Sequence, residues 1–216
     1  MRVKFLGHAT FLIESKEGTK IITDPYKPGA YGSLNYKPIP YEADIVTVSH
    51  EHDDHNYVDG VKGNPEVVKG TGEKEIKGIK FKGIQTFHDK SGGKERGLNT
   101  VFVMDIDGFK VCHLGDLGDT PTDAQFSEIG KVDVLLIPVG GHFTVEPDEA
   151  WQIAQKIAPK VIIPMHFKTE AIGFPIKPVD DFIRGKENVK KLGKCEVEIT
   201  QLPEKTEIWV LEPELK

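Results

Sequence analysis

Cysteine is nearly absent: Cys112 and Cys195 are the only two among 216 residues, too few for a disulfide scaffold or a four-thiolate zinc site. Any metal would therefore depend on histidine and carboxylate. No apolar run approaches the roughly 20 residues of a membrane-spanning helix, and the N-terminus MRVKFLGHATFLIES alternates where a signal peptide would carry an apolar block. A cytoplasmic protein is expected. A basic excess is missing too, with 28 Lys and Arg against 34 Asp and Glu and a net charge of −6, so a global positive field for nucleic acid or anionic membrane is excluded. The expected partner is a small-molecule substrate, and the sequence carries no signal for an oligomeric state. No linker, low-complexity tract or composition shift interrupts the chain, which is read as one domain over residues 1–216.

What is present is a strand-rich pattern. Val3 to Leu6, Thr10 to Glu14 and Lys20 to Thr23 read as a β-meander, followed by a long irregular loop from Pro25 to Tyr41. Ile45 to Ser49 is a continuous apolar run, the pattern of a strand buried on both faces. Glu66 to Phe87 alternates between glycine breaks, and Thr100 to Ile106 with Phe109 to Leu114 forms a hairpin around Asp107-Gly108. Helix signals mark Pro121 to Ile129 and Glu146 to Ile157, separated by a buried strand at Val132 to Val139. Val161 to Met165 is a further strand, and Cys195 to Leu202 with Thr206 to Leu211 reads as a last strand pair. The expected class is α/β in four layers, two sheets covered by helices with loops converging at one edge.

The chemistry concentrates at Ser49-His50-Glu51-His52-Asp53-Asp54-His55, directly after the buried run. In extended chain i and i+2 project to one side, so His50 and His52 can share one ion, while Asp54 and His55, past a change of direction, can face a second. His88, Asp116 and His166 each follow a separate strand. Together they suit a two-metal site: His50, His52 and His88 for the first ion, Asp54, His55 and His166 for the second, and Asp116 placing one oxygen on each.

Thr23-Asp24-Pro25, the His50 to His55 motif, His113 to Asp116 and Pro164-Met165-His166 resemble, in order, the motifs of the metallo-β-lactamase-fold hydrolases. Gly7-His8, Phe87-His88 and Pro138-Val139-Gly140-Gly141 are similar to the branch of ascorbate-phosphate lactonase-like proteins, related to the N-acyl-phosphatidylethanolamine phospholipases D. The resemblance implies an αβ/βα sandwich with two zinc ions, or manganese or iron, in an edge groove. It favours His88 over His113 as a ligand, and gives His113, His8 and Asp24 supporting roles, Asp24 by fixing the tautomer of a ligand histidine. The implied reaction is attack by a hydroxide held between the ions, oriented by Asp54, on a small anionic ester, lactone or phosphodiester. His142 is a candidate leaving-group acid, and Lys90, Lys94 and Arg96 are candidate anion-binding residues. The Tyr-rich loop and Phe167 to Pro178 are candidate walls. The alternatives are diiron-type oxidoreductase chemistry, which the same ligand set could support, and a non-catalytic metal-binding protein.

Overall fold

Alternating side chains at the N-terminus form strands β1 (Arg2–Gly7), β2 (Thr10–Glu14) and β3 (Lys20–Thr23), antiparallel in sequence, and β4 (Ile45–Val48) and β5 (Glu66–Lys69) continue the sheet in parallel. The computed structural model describes residues 1–216. The second sheet opens with antiparallel β6 (Gly72–Ile76), β7 (Ile79–Phe87), β8 (Leu98–Ile106) and β9 (Phe109–His113). Helix α1 (Asp123–Ile129) leads into β10 (Val134–Pro138), and α2 (Pro147–Ile157) into β11 (Val161–Met165). Helix α3 (Val179–Ile183), β12 (Val189–Lys191), β13 (Glu196–Glu198) and β14 (Glu207–Val210) complete the chain. From β9 onward the second sheet is parallel, and its order is β12-β14-β11-β10-β9-β8-β7-β6.

The two faces of the first sheet enter two different cores. Val3, Phe5, Phe11, Ile13, Ile21 and Ile45 join the larger cluster with Phe81, Val101, Leu136 and Ile163 of the second sheet. Leu6, Leu12, Ile22, Val46 and Val48 point the other way, under Tyr26, Leu34, Tyr36, Ile172 and Phe174. Burial on both faces explains the uninterrupted apolar run in β4. The outer cover of this sheet is loop rather than long helix, with 3-10 turns at Ala30–Gly32 and Val58–Gly60. No helix is long and apolar enough to cross a membrane.

The last strand pair expected from Cys195 to Leu211 does not form. Strand β13 pairs antiparallel with β1, matching Val3 with Val197, while β14 pairs in parallel with β11 in the other sheet. Alternation specifies a strand but not its partner. Here two free sheet edges compete successfully against a hairpin whose connection lacks a two-residue turn. Helix α3 and β12 carry no strong sequence signal and are found only in the structure.

Candidate metal centre

The loops after β3, β4, β7, β9 and β11 converge at one edge, each delivering a side chain expected from the sequence. Asp24, His50, Asp54, His55, His88, Asp116 and His166 are all buried. His52 is half-buried. Asp116 is the hub: its Oδ2 lies 3.1 Å from His55 Nε2 and 3.3 Å from each of His88 Nε2 and His166 Nε2, with His50 Nε2 at 3.9 Å. The donor atoms of His50, His52 and His88 fall within 4.8 Å of one another, as do those of His8, Asp54, His55 and His166.

Backbone geometry aims these groups at one another. Asp24, His8 and His166 take left-handed φ values of 40°, 56° and 51°, a conformation costing a non-glycine residue about 1–2 kcal/mol and concentrated at functional sites. The His166 N–H donates to the His8 carbonyl at 2.8 Å, joining two of these turns. Gly115, at φ 57°, permits the turn that presents Asp116, because a Cβ there would sit 2.3 Å from Asn99 Oδ1 and 2.6 Å from Ser49 Cβ. Asn99 Oδ1 accepts from the Asp116 N–H at 2.9 Å, and its Nδ2 donates to Thr86 Oγ1 and the Leu114 carbonyl.

Asp24 sets two tautomers. His55 Nδ1–H donates to Asp24 Oδ2 at 2.9 Å, leaving the Nε2 lone pair toward Asp116. The Ser49 hydroxyl also donates to Asp24 Oδ2, so Ser49 Oγ accepts from His50 Nδ1–H at 2.9 Å and frees His50 Nε2. The Ser49 N–H donates to Asp24 Oδ1 at 2.8 Å. Burial alone would raise the pKa of Asp24, but His113 and His55 hold it below the ordinary carboxylate range. Ser49 was not singled out from the sequence, where a serine closing a strand carries no distinguishing signal.

His113 uses both ring nitrogens away from the hub. Its Nε2–H donates to the Ala9 carbonyl at 2.8 Å and its Nδ1 accepts from the Gly115 N–H at 3.1 Å, so it supports the Asp116 turn. His8 stands inside the second cluster, Nε2 on Asp54 Oδ2 at 3.0 Å. Burial and then the neighbouring His166 push its pKa down to about 4, so at neutral pH it is an uncharged donor to Asp54.

A divalent cation fits this donor set. His50 Nε2, His55 Nε2 and Asp116 Oδ1 are buried without a hydrogen-bond partner, whereas buried polar atoms ordinarily have one. Asp24, Asp54 and Asp116 crowd together with no Lys or Arg paired to any of them, and buried carboxylates need a counter-charge because desolvation costs several kcal/mol per ion.

The cleft over this centre has a volume of about 370 Å³ and is lined by Tyr31, His52, Asp54, His88, Arg96, Asp116, Phe143, His166 and Phe174. Of the expected basic residues, Arg96 lines it. Lys90 is ion-paired with Glu149 on α2 and Lys94 is exposed, both outside that lining. His142 is exposed and rests its ring edge-on against Phe143, 4.4 Å between centroids.

Asp89, which sequence reasoning passed over, fixes the loop that carries Arg96. Its Oδ1 accepts from the N–H of Ser91 and Gly93, and its Oδ2 from those of Glu95 and Arg96, at 2.8–3.0 Å. An Asp followed by Ser-Gly-Gly is a turn-forming pattern that could have shown it. Burial opposes ionisation, but these backbone donors outweigh it and hold Asp89 down to about 2. A depressed carboxylate stabilises the fold above its unfolded pKa of about 3.9 and loses that effect as pH falls toward the folded value. The melting-temperature gap between wild type and Asp89→Asn should therefore stay constant from pH 5 to 8 and close between about pH 4 and 2. A gap unchanged by acid would show that the carboxylate charge is unimportant to the loop.

Residues 2–166 match a family profile described as a β-lactamase superfamily domain. A UPF0173 metal-dependent hydrolase of Thermococcus kodakarensis is 32% identical over 194 residues, 78% of this chain and 85% of the relative. Another from Natranaerobius thermophilus is 30% identical with 99% of this chain and 97% of the relative covered. A crystal structure from Thermotoga maritima, described as a candidate zinc-dependent hydrolase of the metallo-β-lactamase superfamily, superposes with a TM-score of 0.81 and 42% identity, covering 98% of each chain. With residues 2–166 matched and its two sheets converging on this centre, the chain belongs to the β-lactamase superfamily and has the metallo-β-lactamase fold.

Proposed function

We propose that residues 1–216 form one domain that works as a two-metal hydrolase of small anionic esters, lactones or phosphodiesters. The ions are zinc, with manganese or iron as the chemical alternatives for this donor set. His50, His52 and His88 would hold one, Asp54, His55 and His166 the other, and Asp116 both. The observation that carries this reading is Asp116 Oδ2, which faces the Nε2 atoms of His55, His88 and His166 at 3.1–3.3 Å and so stands between the two clusters. Names given to the relatives support the hydrolase class.

Bound ions would supply an ionised water near neutral pH and Lewis acidity toward the oxygen of the attacked group. The chain does the rest. Asp24 keeps the His50 and His55 lone pairs on Nε2, directly for His55 and through Ser49 for His50. His8 holds Asp54 by Oδ2, and Asp54 Oδ1, which makes no hydrogen bond within the protein, is available to orient that ionised water toward the attacked group. Arg96 would bind the negative charge of the substrate. His142, Lys90 and Lys94 have no part in the reaction as proposed.

Protein purified without chelators should carry close to two ions per chain and hydrolyse a phosphodiester, a lactone or an anionic ester faster than a β-lactam. Stripping the metal should abolish that activity and re-addition restore it. Full activity in metal-free protein, or iron-loaded protein that hydrolyses none of the panel, would contradict the proposal.

A further inference from the structure

Three aromatic side chains from three separate loops meet along the cleft: Tyr31, Phe143 and Phe174. Phe143 and Phe174 pack edge to face with centroids 5.6 Å apart, and Tyr31 follows Phe174 at 6.2 Å. At the other end the Arg96 guanidinium lies 5.5 Å from the Phe143 centroid. The four form an unbroken row lining the cleft that Asp54, His88, Asp116 and His166 also line.

Core packing accounts for part of this row only, since Phe174 belongs to the core over the first sheet and Phe143 packs against it. Phe174 is buried and Phe143 half-buried, but Tyr31 is 60% exposed and held at a left-handed φ of 53°. The loops bearing Tyr31 and Phe174 are joined ahead of any ligand, through Asn35 N–H to the Ala171 carbonyl at 2.7 Å and Gly173 N–H to the Ser33 carbonyl at 2.6 Å. Arg96 is the only Lys or Arg among the lining residues. Its guanidinium enters no ion pair or hydrogen bond, while its backbone is pinned by Asp89. Arg96 and His52 also line a second groove of about 490 Å³ whose other walls include Glu51, Lys69 and Leu98. Arg96 therefore stands where two grooves meet, beside the metal centre.

Building on the hydrolase reading, we propose that this cleft selects esters with an aromatic ring on the retained side of the scissile bond and a negative charge at the scissile group or on that ring. The ring lies on the aromatic row, Arg96 takes the charge, and the rest of the substrate leaves through the second groove. Offset and edge-on contacts with aromatic side chains favour a planar ring, and a guanidinium held over the Phe143 ring, free of any other partner, is available for a bidentate oxyanion. Aryl phosphodiesters and benzoate esters bearing a ring carboxylate share this chemistry.

The test uses zinc-loaded full-length protein and two matched pairs with a common leaving group. Phenyl and methyl 4-nitrophenyl phosphate differ in the retained ring, and 4-nitrophenyl 3-carboxybenzoate and 4-nitrophenyl benzoate differ in charge. Wild type should prefer phenyl over methyl by about 10-fold or more in kcat/KM, and Phe143→Leu should reduce that preference to about 3-fold, mainly through KM. Arg96→Ala should lower the ratio of anionic to neutral benzoate by roughly 30- to 100-fold, with partial recovery in Arg96→Lys. The pair with the faster member tells a phosphoryl from a carboxylate anion. Two ions per chain with equal rates on phenyl and methyl, or equal losses on both benzoates in Arg96→Ala, would overturn the inference and leave the hydrolase reading standing. No turnover of any ester would overturn the hydrolase reading. Calorimetric titration with phenylphosphonate and methylphosphonate then decides cleft selectivity alone, equal affinity counting against it.

Discussion

Asp116→Ala should lower kcat/KM by roughly 1,000-fold or more, about 4 kcal/mol of transition-state stabilisation, and should impair both metal sites at once. Its Oδ2 is the one atom that approaches the rings of His50, His55, His88 and His166 together, so no other side chain can take over its position. A readout independent of activity is available. Zinc should raise the melting temperature of wild type, because a ligand that binds the folded state stabilises it, and the increment should fall sharply in Asp116→Ala. An equal zinc-dependent rise in both proteins would show that Asp116 is not shared between the ions.

The second large effect is expected at Asp24, which would touch neither ion. Asp24→Ala strands the Ser49 hydroxyl, the Ser49 N–H and His55 Nδ1–H without their acceptor in a fully buried site. The expected loss of folding stability is about 3–5 kcal/mol, from three buried donors left unsatisfied at roughly 1–3 kcal/mol each and partly relieved by relaxation. Asp24→Asn separates packing from tautomer control. The amide keeps the shape and can still accept from the Ser49 N–H through one oxygen. Its NH2 then faces Ser49 Oγ and His55 Nδ1, which reverses the donor direction and draws the imidazole lone pair to Nδ1. Zinc affinity should fall about 10- to 100-fold, as for other residues that orient metal ligands, with a smaller loss of stability than in Asp24→Ala. Wild-type zinc affinity in Asp24→Asn would contradict the relay from Asp24 to His50 and His55.

How much of this was legible in the sequence depended on locality. The strands before His50 and His166 are apolar runs and the one before His88 alternates, and each stops at a polar donor, so both the element and the residue presented at its end could be read from a few neighbours. The β1 to β3 meander and the β8–β9 hairpin at Asp107-Gly108 were legible for the same reason. Contacts between distant segments were not. His8 meets Asp54 across 46 positions and Arg96 meets Phe143 of a separate loop in the cleft, and neither pairing has a local pattern. The choice among Lys90, Lys94 and Arg96 required the loop conformation set by Asp89, which turns Arg96 to the cleft and leaves Lys90 to Glu149. The partners of β13 and β14 were fixed by which sheet edges stood open.

The central claim, two ions with Asp116 between them, is tested most directly by anomalous diffraction from crystals of zinc-loaded protein. The account predicts two peaks per chain. One should be bounded by His50, His52 and His88, the other by Asp54, His55 and His166, with an Asp116 oxygen on each. A single peak, or a peak held by Asp24, His50 and His55, the third group whose donor atoms lie within 4.8 Å of one another, would contradict it.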